Sequence, residues 1–161
     1  MNSDFKFPEY TDAMNRAIEL SRIALIEGEV PVGAVILFQG QIVAEGRNQV
    51  QKLSDPTAHA EIIAISEAAR KLRVTKLLEC TILTTLEPCI MCAGAIYKAR
   101  LQRVVFSSFD PAFGACGSAY NFASDPRLNH QAVVIGGYME KTSKPILDRF
   151  FSGRRQKKSG N

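Results

Sequence analysis

Histidine is scarce in this sequence, with two among 161 residues, and there are only four cysteines and no long apolar run. Each shortage excludes something. No apolar segment approaches the ~18 residues that a membrane-spanning helix needs, and the first ten residues lack a signal-peptide pattern. Four cysteines do not resemble the disulfide framework of a small secreted protein, so the chain reads as cytoplasmic, with no membrane partner. No internal repeat, linker or low-complexity tract interrupts it. A hydrophobic share of 46% against 22% charged residues is globular, without a bias to disorder. At this length one domain covering 1–161 can bury a proper core.

Acidic residues thin out in one region only. Between Lys144 and Asn161 stand six basic residues and one acid, Asp148, whereas the other 143 residues carry 14 basic and 15 acidic side chains. The net charge of +4 therefore sits in a basic C-terminal helix and tail at about 139–161. A solvated tail is the plain reading of such a cluster. Contact with phosphates is the sharper one, since clustered Lys and Arg give salt-dependent affinity for nucleic acid.

Three of these six scarce residues gather in two motifs. In Thr85-Leu-Glu-Pro-Cys89-Ile-Met-Cys92-Ala-Gly-Ala95, a helix beginning at Pro88 would put both thiols on one face, one turn apart. A helix N-terminus favours thiolate over thiol, and paired thiolates bind zinc well. Two cysteines leave a tetrahedral site incomplete, and Thr57-Ala-His59-Ala-Glu61 supplies the best further ligand, His59, at a second expected helix start. Mid-helix, positions i and i+2 point roughly 200° apart; at a helix N-terminus that restriction relaxes. Two facing N-termini could then present His59, Cys89 and Cys92 to one ion with Glu61 beside it. Three protein ligands leave a fourth position for water, the catalytic pattern of zinc. Glu61 is suited to moving that water's proton. His-x-Glu followed by Pro-Cys-x-x-Cys is the signature of zinc nucleobase deaminases, strong only because both halves occur in this order.

Hydrophobic periodicity places the motifs. Residues from Tyr10 to Glu27 read as an amphipathic helix with Met14, Ala17, Ile18, Ser21 and Leu25 on one stripe. Val32 to Phe38 and Gln41 to Asn48 read as strands of a hairpin turning at Gln39-Gly40. A helix follows from near His59. Thr81 to Leu86 and Arg103 to Ser107 flank the Pro88 helix, a strand–helix–strand unit expected to be parallel and right-handed. After an irregular stretch from Phe109 to Asn129, Ala132 to Gly136 is a fifth strand. A terminal helix from about Met139 to Arg155 has Ile146, Leu147, Phe150 and Phe151 as its apolar face. The expected fold is α/β: one mixed five-stranded sheet with helices on both faces. Asn48, closing the second strand near His59, could read a heterocycle edge or serve as a turn residue.

The sequence resembles the bacterial tRNA adenosine deaminases of the cytidine-deaminase-like superfamily, essentially end to end. The resemblance rests on Glu29-Val-Pro-Val-Gly-Ala34, Asp55-Pro-Thr-Ala-His-Ala-Glu61, Thr85 to Ala95, Arg103-Val-Val-Phe106, Gly117-Ser118, Leu128-Asn-His130 and Phe150-Phe-Ser-Gly-Arg-Arg155. It implies an α/β/α fold and hydrolysis of the wobble adenosine of a tRNA anticodon, foremost that of tRNA-Arg, to inosine. It implies one zinc per subunit on His59, Cys89 and Cys92, carrying the attacking hydroxide, with Glu61 as proton shuttle. Asn48 and Val30 would hold the base; Asp110, Phe150, Phe151 and Arg154 would meet the anticodon stem-loop. Family members usually form homodimers that bind tRNA across both subunits. Departures fall at the RNA side. Arg47 stands where an aromatic residue is common, Asp110-Pro-Ala-Phe-Gly114 replaces a Lys-containing loop, and Cys116 replaces a small residue. Arg47 could restore the positive charge lost from that loop.

Other readings compete. Cys80 reads as a packed apolar residue, and Cys116 and His130 as structural ones. A fourth ligand from any of them would close the zinc site and make a binding module, at the expense of leaving Glu61 unexplained. A deaminase of a free base or nucleoside, guanine or cytosine type, is the alternative on the same fold. The basic terminal helix argues against it, because a small neutral substrate gains nothing from those charges. A non-catalytic RNA-binding module is the third reading.

Overall fold

Short β-branched runs, apolar on both sides, can only be buried between two layers of helix. The computed structural model, which describes residues 8–158 and side chains to 155, shows that arrangement. In chain order it has α1 (Pro8–Ile26), β1 (Gly33–Phe38), β2 (Gln41–Arg47), α2 (Val50–Leu53), α3 (Ala60–Leu72), β3 (Thr81–Leu86), α4 (Ile90–Ala99), β4 (Arg103–Ser108), β5 (Val133–Ile135) and α5 (Glu140–Lys158). The sheet runs β2-β1-β3-β4-β5. β1 pairs antiparallel with β2 and β3, whereas β3, β4 and β5 are parallel. The mixed sheet expected from the sequence is the one observed.

Alternation within the strands divides the core in two. Ala34, Ile36, Ile82, Val104 and Phe106 face Ala64, Ile65 and Ala68 of α3 and Ile96 of α4. Val35, Leu37, Leu83 and Val105 face Met14, Ala17 and Ile18 of α1, with Ile146 of α5 packed against them. The hairpin turns through Gln39 and Gly40, both at positive φ (51° and 74°), the pattern of the tight turns that match strand twist. Gly46 of β2 lets α3 approach closely, because a Cβ there would lie 2.2 Å from the Ala60 carbonyl oxygen. That contact seats the first turn of α3 over the sheet.

Two local expectations are corrected. The helix after β3 begins at Ile90, not Pro88, because Cys89 is still extended (φ −71°, ψ 175°) and is the N-cap. The Pro88 carbonyl is engaged outside the helix, by the Ala115 N–H at 2.8 Å. The single turn α2 had no signal in the sequence. Its Gln51 and Lys52 N–H groups donate to the Glu29 carboxylate (3.2 and 2.8 Å), a tertiary contact made more than twenty residues away. On α5, Leu147 is buried but Phe151 is 45% exposed, so the apolar face stops a turn earlier than expected. The last residues of the basic tail, 159–161, and the side chains of Lys157 and Lys158 lie outside the described residues. Among the described residues no helix is long and apolar enough to cross a membrane.

Candidate active site

Two helices that start with poor capping residues define the site. Ser, Thr, Asp and Asn are the favoured N-caps because their side chains satisfy the first N–H groups. Here His59 caps α3 and Cys89 caps α4, and neither side chain makes a capping hydrogen bond. Both side chains turn toward each other instead. His59 Nδ1 lies 3.7 Å from Cys89 Sγ and 3.5 Å from Cys92 Sγ. All three donor atoms are within 4.8 Å of one another. The N-cap conformation, extended at ψ 151° for His59, releases that side chain from the helical spacing relative to Glu61.

The donor set fits zinc. Nitrogen–sulfur edges of a tetrahedron with bonds of ~2.0 and ~2.3 Å are about 3.5 Å long. The observed separations of 3.5 and 3.7 Å match that edge. Mixed thiolate and imidazole donors also favour zinc over magnesium, calcium or manganese. Among the described residues this is the cluster of His, Cys, Asp or Glu that could hold an ion.

The electrostatics of the cluster are asymmetric. A hydrogen bond from Cys92, then contact with His59, pulls the Cys89 thiol down to about 4. The same bond to Cys89, then burial, pushes Cys92 up. His59 is raised by its contact with Cys89. Glu61, 4% exposed on the first turn of α3, is pushed up to about 7 by burial, against opposing hydrogen bonds from its own backbone and Cys92 and the charge of His59. A divalent ion on the neighbouring donors acts in the opposite direction. Burial and a bound dication would therefore pull this carboxyl in opposite directions.

A cavity of about 770 Å³ opens onto His59, Glu61 and Cys89, with walls from Leu86 at the end of β3 and from the chain just after β2 (Asn48) and after β4 (Asp110). Of the residues expected at the substrate, Val30, Asn48, Asp110 and Arg154 line it. Asn48 is buried, and its amide nitrogen donates to Glu29 at 3.4 Å. A carboxylate accepts only, so the amide oxygen of Asn48 is left as an acceptor. Asp110 closes a turn by accepting the N–H groups of Ala112 and Phe113 (3.0 and 3.1 Å). Phe150 and Phe151 are not on the cavity wall. Phe150 instead carries the Arg154 guanidinium over its ring at 4.6 Å, and Phe151 packs edge-on against Phe150. Arg47, which could have restored positive charge toward RNA, is matched by Glu27 through two hydrogen bonds of 2.8 and 2.9 Å.

The sequence reading missed four residues of this region. Glu29 and Glu87 are buried carboxylates at 2% exposure. Phe113 and Tyr120 reach the cavity from the stretch read only as irregular. The signal for the two glutamates was present: each stands next to or near a proline within an otherwise apolar block, Glu29-Val-Pro-Val and Thr-Leu-Glu87-Pro. Phe113 was marked only as part of the Asp110–Gly114 departure on the RNA side and Tyr120 not at all, because their placement depends on how an irregular loop closes.

The chain is similar to known proteins in both sequence and structure. Residues 8–108 match the family described as the cytidine and deoxycytidylate deaminase zinc-binding region. The chain is 41% identical over 145 residues to the tRNA-specific adenosine deaminase of Bacillus subtilis (strain 168), covering 90% of each. A solved structure from work on A-to-I editing by tRNA:A34 deaminases at the wobble position superposes with a TM-score of 0.82 and 39% identity. It covers 85% of this chain and 99% of that one. A guanine deaminase from Nitrosomonas europaea superposes at 0.76 with 25% identity, over 90% of this chain and 85% of its own.

Proposed function

The chain belongs to the zinc-binding cytidine and deoxycytidylate deaminase family, within its tRNA-specific adenosine deaminases, and from that premise we propose how it acts. It is a hydrolase that converts adenosine to inosine at the wobble position of a tRNA anticodon, with release of ammonia. Its cofactor is zinc, held by His59, Cys89 and Cys92. The observation that carries the reading is the buried Glu61 carboxyl beside that three-donor cluster, at the floor of a cavity large enough for a base.

Bound there, zinc supplies acidification of a water, to a pKa of about 7. Every other part of the reaction falls to the chain. The target nucleotide leaves its stack and its base enters the cavity, which excludes water from around C6. Val30 packs against the base, and the Asn48 oxygen, aimed by Glu29, accepts a hydrogen bond from its edge. Glu61 takes a proton from the attacking water and delivers it to N1. It then carries the second proton to the exocyclic amine, which departs as ammonia. Removing either thiolate or His59 breaks the metal site, whereas removing Glu61 leaves the site but not the proton path.

Asp110 and Arg154 face the anticodon loop from the cavity rim, and Phe150 and Phe151 support Arg154. A homodimer with RNA crossing the subunit boundary is part of this proposal, and the exposed apolar side chains of Leu53 and Ile90 are available to it. The cytoplasm, where tRNA is processed, is the proposed compartment, and the chain acts as one domain ending in a basic helix. A free-base deaminase remains a second reading because the guanine deaminase shares the fold over 90% of this chain.

The deciding experiment gives zinc-loaded protein a tRNA-Arg with adenosine at the wobble position, alongside free adenosine, cytidine and guanine. Inosine at that one position, absent in Glu61→Gln, is the expected result. Ammonia from a free base with the tRNA untouched would transfer the protein to the small-molecule branch.

A further inference from the structure

Three carboxylates are buried around the cavity: Glu29, Glu61 and Glu87. Glu61 moves protons, and Glu29 holds Asn48 and α2. Glu87 stands two residues before Cys89 and is paired with no cation among the described residues. All four hydrogen bonds to its carboxylate come from one stretch of chain. Oε1 accepts the N–H groups of Cys116 and Ser118 at 3.1 and 3.0 Å. Oε2 accepts the Asp110 N–H at 3.0 Å and the Ser118 hydroxyl. An ionised carboxylate has acceptor sites for four donors, and here each is used.

Contacts around that carboxylate run the same way. Gly114 closes over it so tightly that a Cβ would lie 2.3 Å from Glu87 Cδ. Gly114 also forms an isolated bridge with Cys89. The 110–118 loop has no long strand ladder to satisfy its inward N–H groups, so one buried side chain does that work from the neighbouring strand end. The same loop brings Asp110 and Phe113 to the cavity wall, with Phe113 69% exposed at its rim.

We propose that Glu87 is a positioning residue for substrate: its carboxylate moulds the 110–118 loop and thereby sets Asp110 and Phe113 against the RNA flanking the target adenosine. The proposal rests on the reading of this cavity as the site of an RNA deaminase. Glutamine at 87 preserves size but offers one acceptor oxygen. With that oxygen toward Cys116 and Ser118, the amide nitrogen faces the Asp110 N–H, donor against donor, while the Ser118 hydroxyl can turn and accept. The disturbance is thus concentrated at Asp110, on the substrate side of the loop.

The test compares wild type, Glu87→Gln and Ser118→Ala on an anticodon stem-loop RNA, with zinc content and amide hydrogen exchange measured on the same samples. Expected for Glu87→Gln are faster exchange at Asp110, a KM raised about tenfold and kcat kept within about threefold, with full zinc. Ser118→Ala, which removes one donor without opposing another, raises KM by about threefold and carries the test if Glu87→Gln does not fold. Unchanged KM in a variant whose loop amides exchange faster overturns the proposal, and so does loss of zinc with unchanged loop exchange. If wild type turns over only a free base, the proposed function fails on its own. The KM for that base then decides whether the loop is held for substrate.

Discussion

Glu61 shows how one position can be tuned by opposite influences. Burial, the largest influence, lifts its pKa to about 7 against opposing hydrogen bonds, and a dication on His59, Cys89 and Cys92 would draw it back. Glutamine keeps the shape and the hydrogen bonds but cannot carry a proton, so Glu61→Gln is expected to lower kcat by about 10²–10⁴-fold. Zinc content and stem-loop affinity should stay near wild type, measured by metal analysis and by fluorescence anisotropy. A variant that lost zinc as well would make Glu61 part of the metal site. Arg154 acts at the same scale. Held over the Phe150 ring, it offers a single charge at the cavity rim. Arg154→Gln should reduce the slope of log affinity against log salt by about 1, and a slope unchanged by the substitution would remove Arg154 from the RNA contacts.

Helix seating governs the elements. The first turn of α3 carries His59 and Glu61 and rests on β2 through Gly46. A methyl group there meets the Ala60 carbonyl, so Gly46→Ala should cost about 1–3 kcal/mol, the usual range for overpacking. Because the displaced turn bears a zinc ligand, metal affinity should fall with thermal stability. Unfolding curves with and without added zinc would separate the two effects. On the other face, α1 is tied to β2 by the bidentate Arg16–Glu45 pair at 2.7 and 2.8 Å. The Arg16 hydrogen bonds hold the Glu45 carboxyl below its ordinary value of 4.5. A carboxyl with a depressed folded pKa adds stability above its unfolded pKa and loses it as pH falls through the folded one. The stability difference between wild type and Glu45→Gln should therefore be present at neutral pH and vanish under acid, as followed by denaturant melts across pH. Its size stays under ~1 kcal/mol, since the pair is partly exposed.

For the whole molecule, zinc on the proposed ligands would join two chain segments thirty residues apart, one from each of two helix starts. The two core clusters on either side of the sheet do not depend on that junction. A chelator should therefore abolish ammonia release and lower the melting temperature while the circular dichroism of the fold persists. Added zinc should restore both. Collapse of secondary structure on chelation would instead make the ion structural.

Much of this protein was legible as sequence because local chemistry determines it. Period-two and period-3.6 apolar patterns are written in single residues, so the five strands and four of the five helices could be placed within a few positions. Two N-terminal motifs of scarce residue types, His59-x-Glu61 and Cys89-x-x-Cys92, likewise pointed to one metal chemistry, because few residue types bind zinc. Only the tertiary structure decided what depends on contacts between distant segments. The turn α2 exists because Glu29 accepts its N–H groups. Pro88 stays outside α4 because its carbonyl is engaged by Ala115. Arg47 is matched by Glu27, and the 110–118 loop closes around Glu87. Each of these is a buried or paired polar group whose partner lies about twenty to thirty residues away. Such partners leave no periodic trace along the chain, since burial and hydrogen bonding at those sites are properties of the packed fold.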